Sequence, residues 1–186
     1  KLGVSTSKKI MARKTDVMMV ESMVAERFLN TYHIQGYSRG TRSMGLVDGD
    51  DLVAVSSWRK VGNVLYLDRY ATSVTVVGGM GKLLKSGIRH AQEHGCKEIV
   101  TFADHQVSDG GLYEKLGFRL DSELEPDYQY LVSNRRSHKF NYRISRFRDD
   151  DELLYHDGMS EKELATLNGM CRVWDCGKSR YVYDVT

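Results

Sequence analysis

The chain has 186 residues, 41% of them hydrophobic and 28% charged, and its 27 basic and 25 acidic side chains leave a formal net charge of +2. This composition excludes a disordered or fibrous chain, and the length suits one domain with a real core and leaves no room for a second of any size. With the charge so nearly balanced, any attraction to nucleic acid has to come from local clustering.

Residues 1–12 carry little pattern and are expected to form a flexible segment ahead of a single domain over 13–186. From Arg13 to Val20 apolar side chains gather as in a first strand. The stretch ESMVAERFLNTYHIQG then sets Val24, Phe28 and Tyr32 on one helical face and predicts a helix that stops at Gly36. RSMGLVDG, DLVAVSSWR and NVLYLDRYAT follow as extended segments joined by Gly/Asn/Asp turns, an antiparallel meander. After VVGGMG the period changes: Met80, Leu83, Leu84, Ile88 and Ala91 share one face, with Gly95 past the end. CKEIVTFAD reads as a buried strand and GGLYEKLGF as a short helix ended by Gly117, so the middle of the chain is expected to contain a parallel βαβ unit. PDYQYLVS alternates like a strand, Ser160 to Glu163 is a capping-box pattern, and CRVWDCGKSRYVYDV reads as a hairpin around Gly177.

Cys96, Cys171 and Cys176 form no CxxC pair and no His/Cys set with zinc-ligand spacing, so no metal site is expected, and an odd count suits free thiols in a reducing compartment. No apolar run approaches the roughly 20 residues that cross a bilayer, and a cytoplasmic location is expected.

The run VVGGMGKLL raises the question of function. Glycines between a strand and a helix let main-chain N–H groups approach an anion, and the helix dipole favours negative charge there; the alternative use is close strand–helix packing. The spacing fits neither the P-loop nor the dinucleotide GxGxxG pattern. The segment GGLYEKLGFRL lies one strand later, where a second parallel strand would open into its own helix.

Together these two segments resemble the acetyltransferases of the GNAT superfamily, whose glycine loop reads Q/R-x-x-G-x-G/A and whose later element reads LYekLGF. Gly79 and Gly81 fill the glycine slots, Tyr113, Leu116, Gly117 and Phe118 fill the second motif, and Val76 stands where the family has Gln or Arg. The resemblance implies an α/β (α+β) fold with a mixed, mostly antiparallel sheet, splayed parallel strands and flanking helices. It also implies acetyl-CoA as acyl donor, with its pyrophosphate on the amides around Gly78, Gly79, Gly81 and Lys82. Tyr70 and Ala71 would flank the pantetheine, and Tyr113 would be the acid for the leaving thiolate.

The further series YHIQG, LDRY, TFAD and DCG makes residues 13 to 182 similar to phage-encoded GNAT-like proteins, including domains beside homing endonucleases, and more distantly to the phage DNA-modification protein Mom. That branch implies functional roles for His33, Arg69 and Asp104 and, if the protein is phage-encoded, the host cytoplasm as its location. Read from the residues themselves, Asp104 either lines a strand-end crevice or caps the next loop. His33 either orients or deprotonates an acceptor or is a structural cap. Arg69 needs an anionic partner if buried, and Asp104 is a candidate for that partner.

A nucleobase in DNA is the first expectation for the amine acceptor, ahead of protein or small-molecule amines, because NRRSHKFNYRISRFR interleaves Arg135, Arg136, Lys139 and Arg143 with Phe140, Tyr142 and Phe147, a mix that can hold phosphates and stack on bases. The alternative is a noncatalytic nucleic-acid-binding or interaction module that keeps the fold.

Overall fold

Eleven residues, DLVAVSSWRKV, make one long central strand buried on both faces from Val53 to Trp58, and the computed structural model around it describes residues 8–40 and 42–185. In chain order the elements are β1 (Lys9–Met11), β2 (Asp16–Val20), α1 (Ser22–Tyr32), β3 (Arg42–Asp48), β4 (Asp51–Val61), β5 (Val64–Thr72), β6 (Thr75–Val77), α2 (Gly79–Glu93), β7 (Glu98–Asp104), α3 (Gly111–Lys115), β8 (Arg119–Leu124), β9 (Tyr128–Val132), β10 (Arg135–His138), α4 (Ile144–Asp149), α5 (Glu161–Leu167), β11 (Cys171–Trp174) and β12 (Lys178–Asp184). Length leads to the expectation of one domain over 13–186; the contacts divide the chain into two compact units. One takes the chain up to Ala103, Gly110–Ser122 and everything from Arg180; the other takes Asp104–Asp109 and Glu123–Ser179.

The first unit is built on a seven-stranded sheet in the order β2-β3-β4-β5-β7-β12-β8. The meander β2 to β5 is antiparallel, and β5 pairs with β7 in parallel, with α2 as the crossover. The apolar face of α2 buries Met80, Leu83 and Leu84 against Trp58, Leu65, Leu67 and Ile99. Each such side chain contributes about 1.5–3 kcal/mol of burial. Gly87 lets the helix lie on the Trp58 ring, since a Cβ there would sit 2.5 Å from it. A separate cluster buries Ala25, Phe28 and Leu29 of α1 on Val55 and Ala71.

Two expectations need correction here. Helix α1 ends at Tyr32 and not at Gly36, because His33 is already extended and Gly36 N–H donates to the His33 carbonyl in a separate turn. Within the segment expected to be flexible, Lys9–Met11 pairs in parallel with Thr75–Val77, and Ile10 and Ala12 are buried; residues 1–7 lie outside the described residues.

β8 and β12 are neighbours in the sheet although residues 125–177 separate them in the chain, and that stretch makes most of the second unit. Its three strands, in the order β10-β9-β11, are antiparallel. The β9–β10 turn places Ser133 and Asn134 at positive φ, as a two-residue loop of primed type requires. Tyr130, Phe147, Leu164, Ala165 and Met170 form its core, and Ser160 with Glu163 closes a reciprocal capping box. The expected hairpin around Gly177 does not exist. β11 pairs with β9, where Arg172 and Trp174 lie opposite Tyr130 and Tyr128, while β12 enters the large sheet and buries Tyr181 and Val182.

Candidate functional site

The site is created where β5 and β7 part. Their register holds for Val64↔Glu98, Leu65↔Ile99 and Tyr66↔Val100, and among the described residues no further pair joins them although the strands continue to Thr72 and Asp104. A register shift against β4 at Ser57/Trp58 leaves Asp68 as an extra residue between Leu67 and Arg69. Such a bulge bends a strand and increases its twist, which carries β5 away from β7. The Thr101 hydroxyl, donating to the Leu67 carbonyl at 3.1 Å, closes the bottom of the gap.

Beyond β6 the chain turns on Gly78 in the left-handed conformation (φ 77°) and opens α2. Lys82 N–H donates to the Gly78 carbonyl and is the first intrahelical bond, so the N–H groups of Gly79, Met80 and Gly81 have no acceptor within the helix. The Met80 N–H is taken by the Tyr70 phenol oxygen, whose burial pushes its pKa up to about 12 and keeps it neutral. A Cβ on Gly79 would stand 2.8 Å from the Tyr70 oxygen and 3.1 Å from the Val76 Cβ, and one on Gly81 would stand 3.3 Å from Leu116. Close strand–helix packing, one of the two uses considered for these glycines, therefore applies at Gly79, while the N–H groups of Gly79 and Gly81 have no acceptor within the helix. Leu116 belongs to the second motif, so the fold brings the two sequence motifs into contact. Val76 packs in the core opposite Ile10, which explains an apolar residue in that slot.

The Lys82 ammonium donates to the carbonyls of Ala12 (3.0 Å) and Thr15, tying the turn after β1 to α2. Its charge sits on the wall of a cavity of about 550 Å³ that Arg13, Val17, Gly78, Lys85 and Arg89 also line. The sequence missed this basic rim, although Lys82, Lys85 and Arg89 recur at helical spacing. Ala71 is buried against α1.

Tyr113 lies on α3, half-buried, with its ring 5.7 Å from Phe118 and 5.5 Å from Tyr181. Gly110 opens that helix at φ 83°, and a Cβ there would run into the Tyr181 ring.

His33 caps α1, and its Nδ1 accepts the Gln35 N–H at 3.1 Å. Burial, and then the charge of Arg69, lower its pKa to about 4. The neutral ring thus carries its proton on Nε2 and offers a donor, not a base. Arg69 donates from Nε to the Gly36 carbonyl and from Nη1 to the Asp68 carbonyl, and burial lowers its pKa. His33 and Arg69 are therefore brought together. Asp104 accepts the Gln106 N–H at 3.0 Å and caps its own turn.

In the second unit Arg135 and Arg136 are exposed on opposite faces of β10. Lys139 pairs with Asp127 at 2.5 Å and Arg143 with Glu161 at 3.4 Å, and both lie over the exposed Phe140 ring. Phe147, expected among the stacking residues, is fully buried in the core. Trp174, exposed, and Arg172, half-buried, pack on Tyr128 and supply an aromatic–cation pair that the sequence alone did not assign.

No protein-family profile and no curated protein matches the chain in sequence. Solved structures match its fold. An acetyltransferase from Bacillus subtilis in complex with CoA aligns with a TM-score of 0.56 at 17% identity, over 93% of this chain and 100% of that one. The ribosomal-protein-S18-alanine N-acetyltransferase of Escherichia coli aligns with a TM-score of 0.56 at 12% identity, over 92% and 94%. A GNAT family acetyltransferase from Elizabethkingia anophelis with acetyl-CoA bound gives 0.55 at 14%, over 92% and 98%. With its parting parallel strands and its glycine-led helix between them, the chain has the mixed, mostly antiparallel α/β fold of the GNAT acyl-CoA N-acyltransferases.

Proposed function

We propose that this chain is an N-acyltransferase of the GNAT type that takes an acetyl or related acyl group from acetyl-CoA and passes it to an amine. The observation that carries the reading is the gap between β5 and β7 with the α2 N-terminus at its mouth, where the N–H groups of Gly79 and Gly81 have no acceptor within the helix and a Cβ on Gly79 would crowd Tyr70 and Val76. The main-chain N–H groups of Gly79 and Gly81 would hold the diphosphate, with Arg13, Lys85 and Arg89 neutralising phosphate charge from the adjoining cavity. Acetyl-CoA would supply a thioester whose carbonyl carbon accepts the amine as the C–S bond breaks, and the nitrogen would release its proton to solvent water as the amide forms. Tyr113 would return a proton to the thiolate, and the Nε2–H of His33 would orient the acceptor. The CoA-bound neighbours support the donor, and the basic and aromatic surface of the second unit supports DNA as acceptor, with a phage origin as part of the same proposal.

Calorimetry with acetyl-CoA, followed by transfer of labelled acetyl to amine-bearing DNA, tests both levels. Micromolar binding that Gly79→Arg abolishes is the expected result. A specific pair of observations favours the second reading, a noncatalytic nucleic-acid-binding module: Val76 lies in the core and Tyr70 already occupies the Met80 amide. No acetyl-CoA binding, together with strongly salt-dependent DNA affinity, would establish that module instead.

A further inference from the structure

We propose that His90, Glu93 and His94, on the last turn of α2, form a binding site for a divalent cation of the zinc class. Their ligand atoms all lie within 4.8 Å of one another. In a tetrahedral zinc shell ligand atoms stand about 3.4 Å apart, so rotamer adjustments of exposed side chains close the difference. The two imidazoles are one helical turn apart with ring centroids at 4.0 Å, and Glu93 completes a two-histidine, one-carboxylate set suited to zinc.

Two features prepare this cluster. The His94 Nδ1 lies 2.9 Å from the His90 carbonyl, which fixes the tautomer and leaves Nε2 with its lone pair free for a metal. A cation at the C-terminal end of α2 also meets the negative end of the helix dipole. Against these, Lys60 places its ammonium on the His94 carbonyl at 2.7 Å, and with Arg42 it opposes a second positive charge. The site lies roughly 16 Å along the helix from Gly79 and is independent of the acyl-transfer reading.

The test titrates zinc chloride into the whole chain without an affinity tag, by calorimetry and by thermal unfolding. Cys171 and Cys176 are exposed thiols that could take zinc on their own, so the Cys171→Ser/Cys176→Ser variant is the background. One zinc per chain and a raised Tm are expected in wild type and background, both lost in His90→Ala and in His94→Ala, while Lys60→Met tightens binding. The proposal is overturned if the background takes up no zinc, or if uptake survives in both histidine variants.

Discussion

The phenol oxygen of Tyr70 accepts the main-chain N–H of Met80, joining the end of β5 to the first turn of α2 across the glycine loop. A donor that the fold would present to a diphosphate is thereby spent on the protein itself. Tyr70→Phe should lower stability by about 1 kcal/mol and, by releasing the amide, tighten acetyl-CoA binding. Chemical denaturation and calorimetry on the same preparation read both effects; weaker binding would show that the hydroxyl contributes to the ligand directly.

Gly79 and Gly87 separate function from packing on one helix. Gly79→Ala meets the Tyr70 oxygen and Val76, and Gly87→Ala meets the Trp58 ring, so each should cost about 1–3 kcal/mol by overpacking. Only the Gly79 change should also remove acetyl-CoA binding, measured below the Tm of both variants.

His33 makes stability depend on pH. Its folded pKa of about 4 lies below the ordinary 6.5, so between those values the unfolded chain takes up a proton that the folded chain refuses. Its contribution is complete above pH 6.5 and lost as pH falls toward 4. The Tm of wild type should drop more steeply over that range than that of His33→Gln, and the ring resonances should titrate near pH 4.

On the second unit, Arg135→Ala/Arg136→Ala should weaken binding to single-stranded DNA and flatten its salt dependence by about 0.7 for each phosphate that is no longer neutralised. Lys139→Ala and Arg143→Ala should do less, because Asp127 and Glu161 already hold those cations. Filter binding at several salt concentrations measures the slopes. Trp174→Ala should cost affinity without changing the slope, since stacking displaces no counterions.

The sequence alone determined the local structure. The helical period after Gly81, the Gly and Asn turns of the meander, the capping box at Ser160 and the two glycine-bearing motifs each depend on neighbours a few residues apart, and such patterns are written directly in the chain. The sequence also permitted the close approach at Gly79, because a Cβ there would crowd the Tyr70 oxygen and Val76. Tertiary structure decided what long-range pairing controls: that Asp68 bulges and parts β5 from β7, that Tyr70 reaches back to Met80, and that Lys82 holds carbonyls of the turn after β1. It likewise decided that β11 and β12 belong to different sheets, with residues 125–177 forming a second core inserted in the chain between two strands that are neighbours in the large sheet. Those outcomes turn on which distant surfaces bury one another, a choice that local periodicity leaves open.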